Sequence, residues 1–165
     1  MMNEKYKDLF FVFHSTTEHV KMIQNLLLKE GFKNCGAISD EKIKSHILES
    51  SMFAVAKSGT ISLEISKAKV PSIIIYKMGI INFFIVKMLV KVKFANIINI
   101  AANREVIPEL LQSKCNPNNI FKTVDNLLKD KEAMDNQIRN IQDIIGDFKT
   151  DKSTDIAASV LNKHI

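Results

Sequence analysis

Met52-Phe53-Ala54-Val55-Ala56-Lys57-Ser58-Gly59-Thr60-Ile61-Ser62-Leu63-Glu64-Ile65-Ser66-Lys67-Ala68-Lys69-Val70-Pro71-Ser72-Ile73-Ile74-Ile75-Tyr76 reads as one strand-helix-strand unit. Met52–Ala56 is a short apolar run of the kind found in strands covered on both faces. Ser58-Gly59-Thr60 is a tight turn. Ile61, Ile65 and Ala68 then recur at helical spacing. Pro71–Tyr76, with three consecutive isoleucines, is a second buried strand rich in β-branched residues. Two strands joined through a helix pair in parallel by a right-handed crossover.

The same alternation extends towards the N-terminus. Leu9–Phe13 is another continuous apolar run, expected to be covered on both faces. Ser15 or Thr16 offers a helix cap, followed by Val20, Ile23 and Leu27 up to Gly31. A short strand near Cys35–Ile38 precedes a helix capped by Ser39 or Asp40 and carrying Ile43 and Ile47. Strands alternating with helices give an α/β fold with a parallel sheet. Ligands of such sheets bind at the C-terminal strand ends, which places attention on residues 14–18, 57–60, 77–82 and 97–105. Beyond residue 105 the chain reads as helical. Pro108 and Pro117 each suit a first helical turn, the second after Asn116 as cap. Ile120, Val124, Leu127 and Leu128 form one apolar face, and Met134, Ile138, Ile141, Ile145 and Phe148 another. Ile156 and Val160 mark a final short helix.

At 165 residues and 46% hydrophobic content, one core is expected. The net charge of +5 comes from lysine, with Arg104 and Arg139 the only arginines. That pattern fits a coding bias more than a nucleic-acid surface, and ten Phe with no Trp do not form a base-stacking platform. No nucleic-acid partner is expected; a mild attraction for anionic ligands remains. Cys35 and Cys115 form no metal-binding spacing with histidines. No signal segment is evident, and no run reaches the roughly 18 apolar residues of a spanning helix. Met78–Val92 is the most apolar segment, broken by Asn82, Lys87 and Lys91. It reads either as a membrane-interface surface with lysines towards anionic headgroups or as a helix buried against the sheet and a further domain.

Two constellations carry chemistry. In Ser58-Gly59-Thr60 glycine lets the backbone approach a ligand, and first-turn N–H groups face an anion. Glu64 lies one turn beyond Thr60 on the same face, where a carboxylate can meet ribose hydroxyls. The plain alternative is a cap, a turn and a solvated glutamate. The second is Asn99-Ile100-Ala101-Ala102-Asn103-Arg104-Glu105, a polar cluster at an expected strand end. Asn99 suits a base or phosphate, Arg104 a phosphate fork, and Glu105 sugar hydroxyls. The alternative is an ordinary polar loop. Among the histidines, His14 alone stands near the expected ligand edge.

Taken together, Ala56-Lys57-Ser58-Gly59-Thr60-Ile61-Ser62-Leu63-Glu64, Val70-Pro71, Tyr76-Lys77, Leu89-Val90-Lys91-Val92 and Asn99 to Gln112 resemble the lipid-A-disaccharide synthase family of two-domain, GT-B-type glycosyltransferases. Order and spacing agree over roughly residues 50–125. Lys57 stands where the family has a small residue, Ile98 where it has proline, and Asn103 where it has glycine. Asparagine tolerates positive φ well, so the turn at Asn103 is expected to survive.

The resemblance implies a partial Rossmann-like parallel sheet of GT-B type with C-terminal helices. Residues 1–112 are then an incomplete UDP-sugar-binding domain, and residues 113–165 a helical segment packed on it. It implies transfer of 2,3-diacylglucosamine from UDP to 2,3-diacylglucosamine 1-phosphate, releasing UDP, at the cytoplasmic face of the inner membrane. Ser58, Gly59 and Thr60 would hold the diphosphate, Glu64 the ribose, and Asn99, Arg104 and Glu105 the rest of UDP-2,3-diacylglucosamine. No metal or cofactor is expected, since the UDP-sugar is a substrate. The family's N-terminal domain, which carries acceptor-side and catalytic residues, has no counterpart in this sequence. The chain is expected to begin near the second strand of the family's C-terminal domain and to need a separately encoded N-terminal half. An incomplete sheet of this kind is expected to self-associate. The alternatives from other classes are a non-catalytic remnant that binds a partner or the membrane interface, and a nucleotide-binding regulatory domain.

Overall fold

The computed structural model describes residues 1–79 and 93–148. Among them the strands are β1 (Phe11–His14), β2 (Cys35–Ile38), β3 (Ala54–Lys57), β4 (Ser72–Tyr76) and β5 (Glu109–Leu111). The helices are α1 (Met2–Lys5), α2 (Thr17–Lys29), α3 (Glu41–Ser50), α4 (Thr60–Lys67), α5 (Ile97–Ala102), α6 (Pro117–Lys129) and α7 (Lys131–Phe148). The fold is α/β, with every strand pair parallel. β1 pairs with β2, and β3, β4 and β5 form a second sheet in that order. The segment 80–92 and the expected helix at Ile156 and Val160 lie outside the described residues.

Helix starts follow the caps legible in the sequence. The Asp40 carboxylate accepts from Lys42 N–H at 2.8 Å, and Asn116 Oδ1 accepts from Asn119 N–H at 3.0 Å, with Pro117 opening α6. The core gathers where α4 and α7 meet the second sheet: Ala56, Ile65, Val70, Ile74, Ile98, Ile107 and Ile141. Two glutamines of α7 and its Ile141 fasten it. Gln137 Oε1 accepts from Ser72 N–H at 2.7 Å while its Nε2 donates to Ser72 O at 3.0 Å. Gln142 Nε2 donates to Ser66 O at 3.0 Å.

Three sequence expectations need correction. Pro108 does not open a helix. Its carbonyl accepts from Ile74 N–H at 2.9 Å, which lays Glu109–Leu111 against β4 as strand β5. Proline lacks an N–H and suits the start of a strand at a sheet edge. Residues 97–105 do not lie at a strand end. Asn96 Oδ1 caps Ile98 N–H at 2.8 Å, and Asn103 closes the short helix α5 in the left-handed region at φ 49°. The turn at Asn103 thus exists without glycine. Finally, the apolar run at β1 is not covered on both faces. Val12 and Phe13, which point to opposite faces, are 41% and 44% exposed, whereas Ile73 and Ile74 of β4 are fully buried.

The N-terminal segment is tied down by charge. Asp125 of α6 accepts from Lys129 Nζ at 2.8 Å and Tyr6 Oη at 2.7 Å, and also pairs with Lys5. These donors, Lys129 foremost, hold its carboxyl far below the usual carboxylate range. A depressed folded-state pKa contributes stability that is full above the unfolded value of about 4 and is lost as pH falls below it. Amide exchange at Tyr6 and Leu9, whose N–H groups donate to Met2 and Tyr6 carbonyls, is therefore expected to accelerate from about pH 4 downward relative to the α7 amides. In Asp125→Asn the acceleration is expected already at neutral pH, and an unchanged protection pattern there would refute the tether.

Candidate functional site

β3 delivers the turn. After Lys57, Gly59 adopts φ 148°, ψ −163°, a region essentially restricted to glycine. No atom lies within 4 Å of where a Cβ would stand, so backbone conformation and not crowding requires glycine. Ser62 Oγ donates to Gly59 O at 2.7 Å, and Ser58 Oγ donates to Ala95 O at 2.7 Å. The turn is thereby held at both ends. Thr60 is exposed as the first residue of α4, where Ser62 N–H already donates to Gly59 O at 3.1 Å and the N–H groups of Thr60 and Ile61 precede the first helical bond. Lys57 is exposed and sets its ammonium 5.3 Å from the centre of the Tyr76 ring.

Ala95 links this turn to the second constellation. Its N–H donates to Glu109 Oε2 at 2.8 Å, while Glu109 Oε1 accepts from Asn96 N–H at 2.9 Å and Asn99 Nδ2 at 2.7 Å. Asn99 is fully buried. Its Nδ2 also donates to Ile107 O at 2.7 Å, and its Oδ1 accepts from Val106 N–H at 2.8 Å and Ile107 N–H at 2.9 Å. Both donors and both lone-pair positions of the amide are in use. Asn99, expected among ligand contacts, is thus committed to the chain itself and fixes the loop that follows. That loop presents Arg104 and Glu105 to solvent. Arg104 donates to Asn140 Oδ1 at 2.8 Å, and Glu105 Oε1 accepts from Glu109 N–H at 3.2 Å.

Glu64 faces elsewhere. It accepts from Lys44 of α3 at 2.9 Å, and Lys44 also meets Glu41 at 2.6 Å. Glu41 and Glu64 push the Lys44 ammonium's pKa up, and Lys44 draws that of Glu41 down. A cleft of about 300 Å³ between α3 and α4 takes in Lys44 and Glu64 but not the 58–60 turn. Within the site, Ser58, Ala95, Asn99 and Glu109 form one bonded network, whereas Arg104 and Glu64 are anchored to α7 and α3 respectively. Sequence reasoning missed Glu109 and Lys44. Both look like solvated surface charges, and only their distant partners give them a role.

Residues 1–160 match the protein family described as Lipid-A-disaccharide synthetase. A protein named Lipid-A-disaccharide synthase from Rickettsia typhi is 35% identical over 98% of this chain and 43% of its own length. One of the same name from Rickettsia bellii is 36% identical over 84% of this chain and 36% of its own length. Another, from Sulfurihydrogenibium sp., is 32% identical over 86% of this chain and 39% of its own length. The chain thus spans less than half the length of these relatives. The sequence match and the parallel α/β architecture agree, and the chain belongs to the lipid-A-disaccharide synthetase family.

Proposed function

We propose that this chain forms the sugar-nucleotide-binding part of a GT-B-type glycosyltransferase of lipid A biosynthesis. The whole enzyme transfers 2,3-diacylglucosamine from UDP to 2,3-diacylglucosamine 1-phosphate and releases UDP. The observation that supports this reading is the 58–60 turn at the C-terminal end of β3, fastened through Ala95 and Glu109 to the loop bearing Arg104 and Glu105. In this scheme residues 1–112 bind the donor and the helices from 113 onward cover the sheet.

The chemistry follows from charge. As the bond between the sugar and the diphosphate breaks, negative charge builds on the leaving UDP. The unpartnered N–H groups of α4, the Thr60 hydroxyl and the Arg104 guanidinium offset it. Glu105 takes the sugar hydroxyls, and Glu64 takes the ribose hydroxyls only on leaving its pair with Lys44. Asn99 acts one step back, as the residue that positions the Arg104 loop. The catalytic base and the acceptor site belong to the part of the family's polypeptide that this chain does not span, and work proceeds at the cytoplasmic face of the inner membrane, where acylated substrates reside. Residues 80–92, most of the Met78–Val92 segment that reads either as a surface for that interface or as a buried helix, lie outside the described residues. No described helix is long and apolar enough to cross a membrane. The chain alone is expected to yield no disaccharide.

The test is calorimetric titration of UDP into the chain, alone and together with the remainder of a relative's polypeptide. Arg104→Ala is expected to weaken binding at least tenfold, because it removes a charge-assisted fork. Its unfolding should stay within about 0.5 kcal/mol of the parent, since Arg104 is exposed. Equal affinity of parent and variant would remove Arg104 from the site. Absence of UDP affinity in both settings, with folded protein, would overturn the reading.

A further inference from the structure

Lys57 is the last residue of β3 and stands directly before the 58–60 turn. It is exposed, and its ammonium lies 5.3 Å from the centre of the ring of Tyr76, the last residue of β4. The pairing of the two strands says where that contact is. Lys57 lies beside Ile75 in register, so the two side chains leave the same face of the sheet. Ile75 and Tyr76 are successive residues and leave opposite faces. A contact from Lys57 to the Tyr76 ring therefore passes across the C-terminal ends of β3 and β4, the edge at which parallel α/β sheets receive ligands.

The neighbouring polar groups are engaged more firmly. Arg104 donates to Asn140 of α7, Glu64 accepts from Lys44 of α3, and the Asn99 amide is fully used within the chain. Lys57 rests on an aromatic face and has no carboxylate partner among the described residues. An exposed cation–π contact is weaker than a hydrogen bond from an ammonium to a phosphate oxygen, so an anion at the turn draws the lysine off the ring. Its flexible four-carbon stem lets the charge move without the backbone. Lys77, exposed one residue beyond Tyr76, has no contact of this kind among the described residues to hold it at the edge.

We propose that Lys57 is a specificity-determining residue for the diphosphate of the donor nucleotide, in a role that rests on the proposed function and deepens it. Its ammonium rests on Tyr76 until a diphosphate draws it from the ring into a direct pair. Lys57 thereby separates ligands by their phosphates: a nucleoside diphosphate gains the contact, and a nucleoside without phosphate gains nothing. The charge stands at the strand end that leads into the turn, so it also offsets the negative charge that builds on the leaving diphosphate. Tyr76 is a positioning residue, which keeps the ammonium at the sheet edge between turnovers.

The test compares UDP and uridine titrated into the parent chain, Lys57→Met, Lys57→Arg and Lys77→Met, alone and together with the remainder of a relative's polypeptide. Lys57→Met keeps the stem without the charge and should weaken UDP by about tenfold or more while leaving uridine unchanged. Lys57→Arg should stay within about threefold of the parent. Lys77→Met, which removes the same charge from the same edge, should cost less than about threefold, since a charge not held at the ligand is screened. Because Lys57 is exposed, its variants should keep the parent's urea midpoint. NMR of the parent reads the movement itself. The Lys57 ε-methylene protons, shifted upfield by the Tyr76 ring, should move towards their position in Tyr76→Leu when pyrophosphate or UDP is added. Equal UDP affinity of the parent and Lys57→Met, equal losses at Lys57 and Lys77, or ε-methylene resonances that saturating UDP leaves in place would each overturn the role of Lys57 and leave the proposed function standing. Pyrophosphate binding that depends on Lys57, without UDP affinity in either setting, sinks the proposed function alone. A folded parent that binds neither ligand sinks both.

Discussion

Replacing Asn99 by alanine is expected to destabilise the chain by about 3–5 kcal/mol, read as a fall in the urea midpoint at unchanged slope. The side chain is fully buried and makes four hydrogen bonds. Its loss strands the buried N–H and carbonyl of Ile107 and the part-buried N–H of Val106. Each such group costs about 1–3 kcal/mol when left unpaired. It also removes a donor from Glu109, the carboxylate that holds Ala95 and Asn96. Asn99→Asp separates donors from volume. It keeps shape and acceptor oxygens but sets a second carboxylate against Glu109, and at neutral pH it should destabilise at least as much. A variant of either kind that unfolds like the parent would show that the 106–109 loop is held by packing alone. Loss of UDP affinity in a still-folded Asn99 variant would fit its positioning role, since Asn99 has no free group for the ligand.

The second large effect is expected at Ile74. This side chain is fully buried in the middle strand of the triplet, and its truncation to alanine should cost about 2–5 kcal/mol through lost burial and the cavity left behind. Val12→Ala, a deletion of similar apolar character at the open side of β1, should cost about 1 kcal/mol or less in the chain alone, because the side chain is 41% exposed. Equal losses at the two positions, measured by denaturant unfolding, would mean that the Val12 side chain is covered in solution.

Much of this fold is legible because its signals are local. The unit from Ala54 to Tyr76 shows itself in apolar runs of strand length around a helical period, and Asp40, Asn116 and Pro117 mark helix starts by chemistry acting within three residues. Gly59 announces its own backbone geometry, and Asn103 is the residue best able to stand in for glycine at positive φ. The turn at 58–60 was thus readable as a candidate anion site, whereas Asn99 was readable only as polar. Its commitment to Ile107 and Glu109 depends on how the loop folds back.

The sequence by itself determined the α/β alternation, the strand and helix identities from residue 9 to residue 76, the family, and the turn that leads the candidate site. Tertiary structure alone decided that Pro108 begins a strand, that residues 97–102 are helical, that Glu109, Gln137 and Asp125 join segments far apart in the chain, and that Leu9–Phe13 is an apolar strand without a full cover. The physical reason is range. Periodicity and capping act between residues a few positions apart, whereas strand pairing and buried polar contacts are chosen by whatever surface the rest of the fold brings alongside.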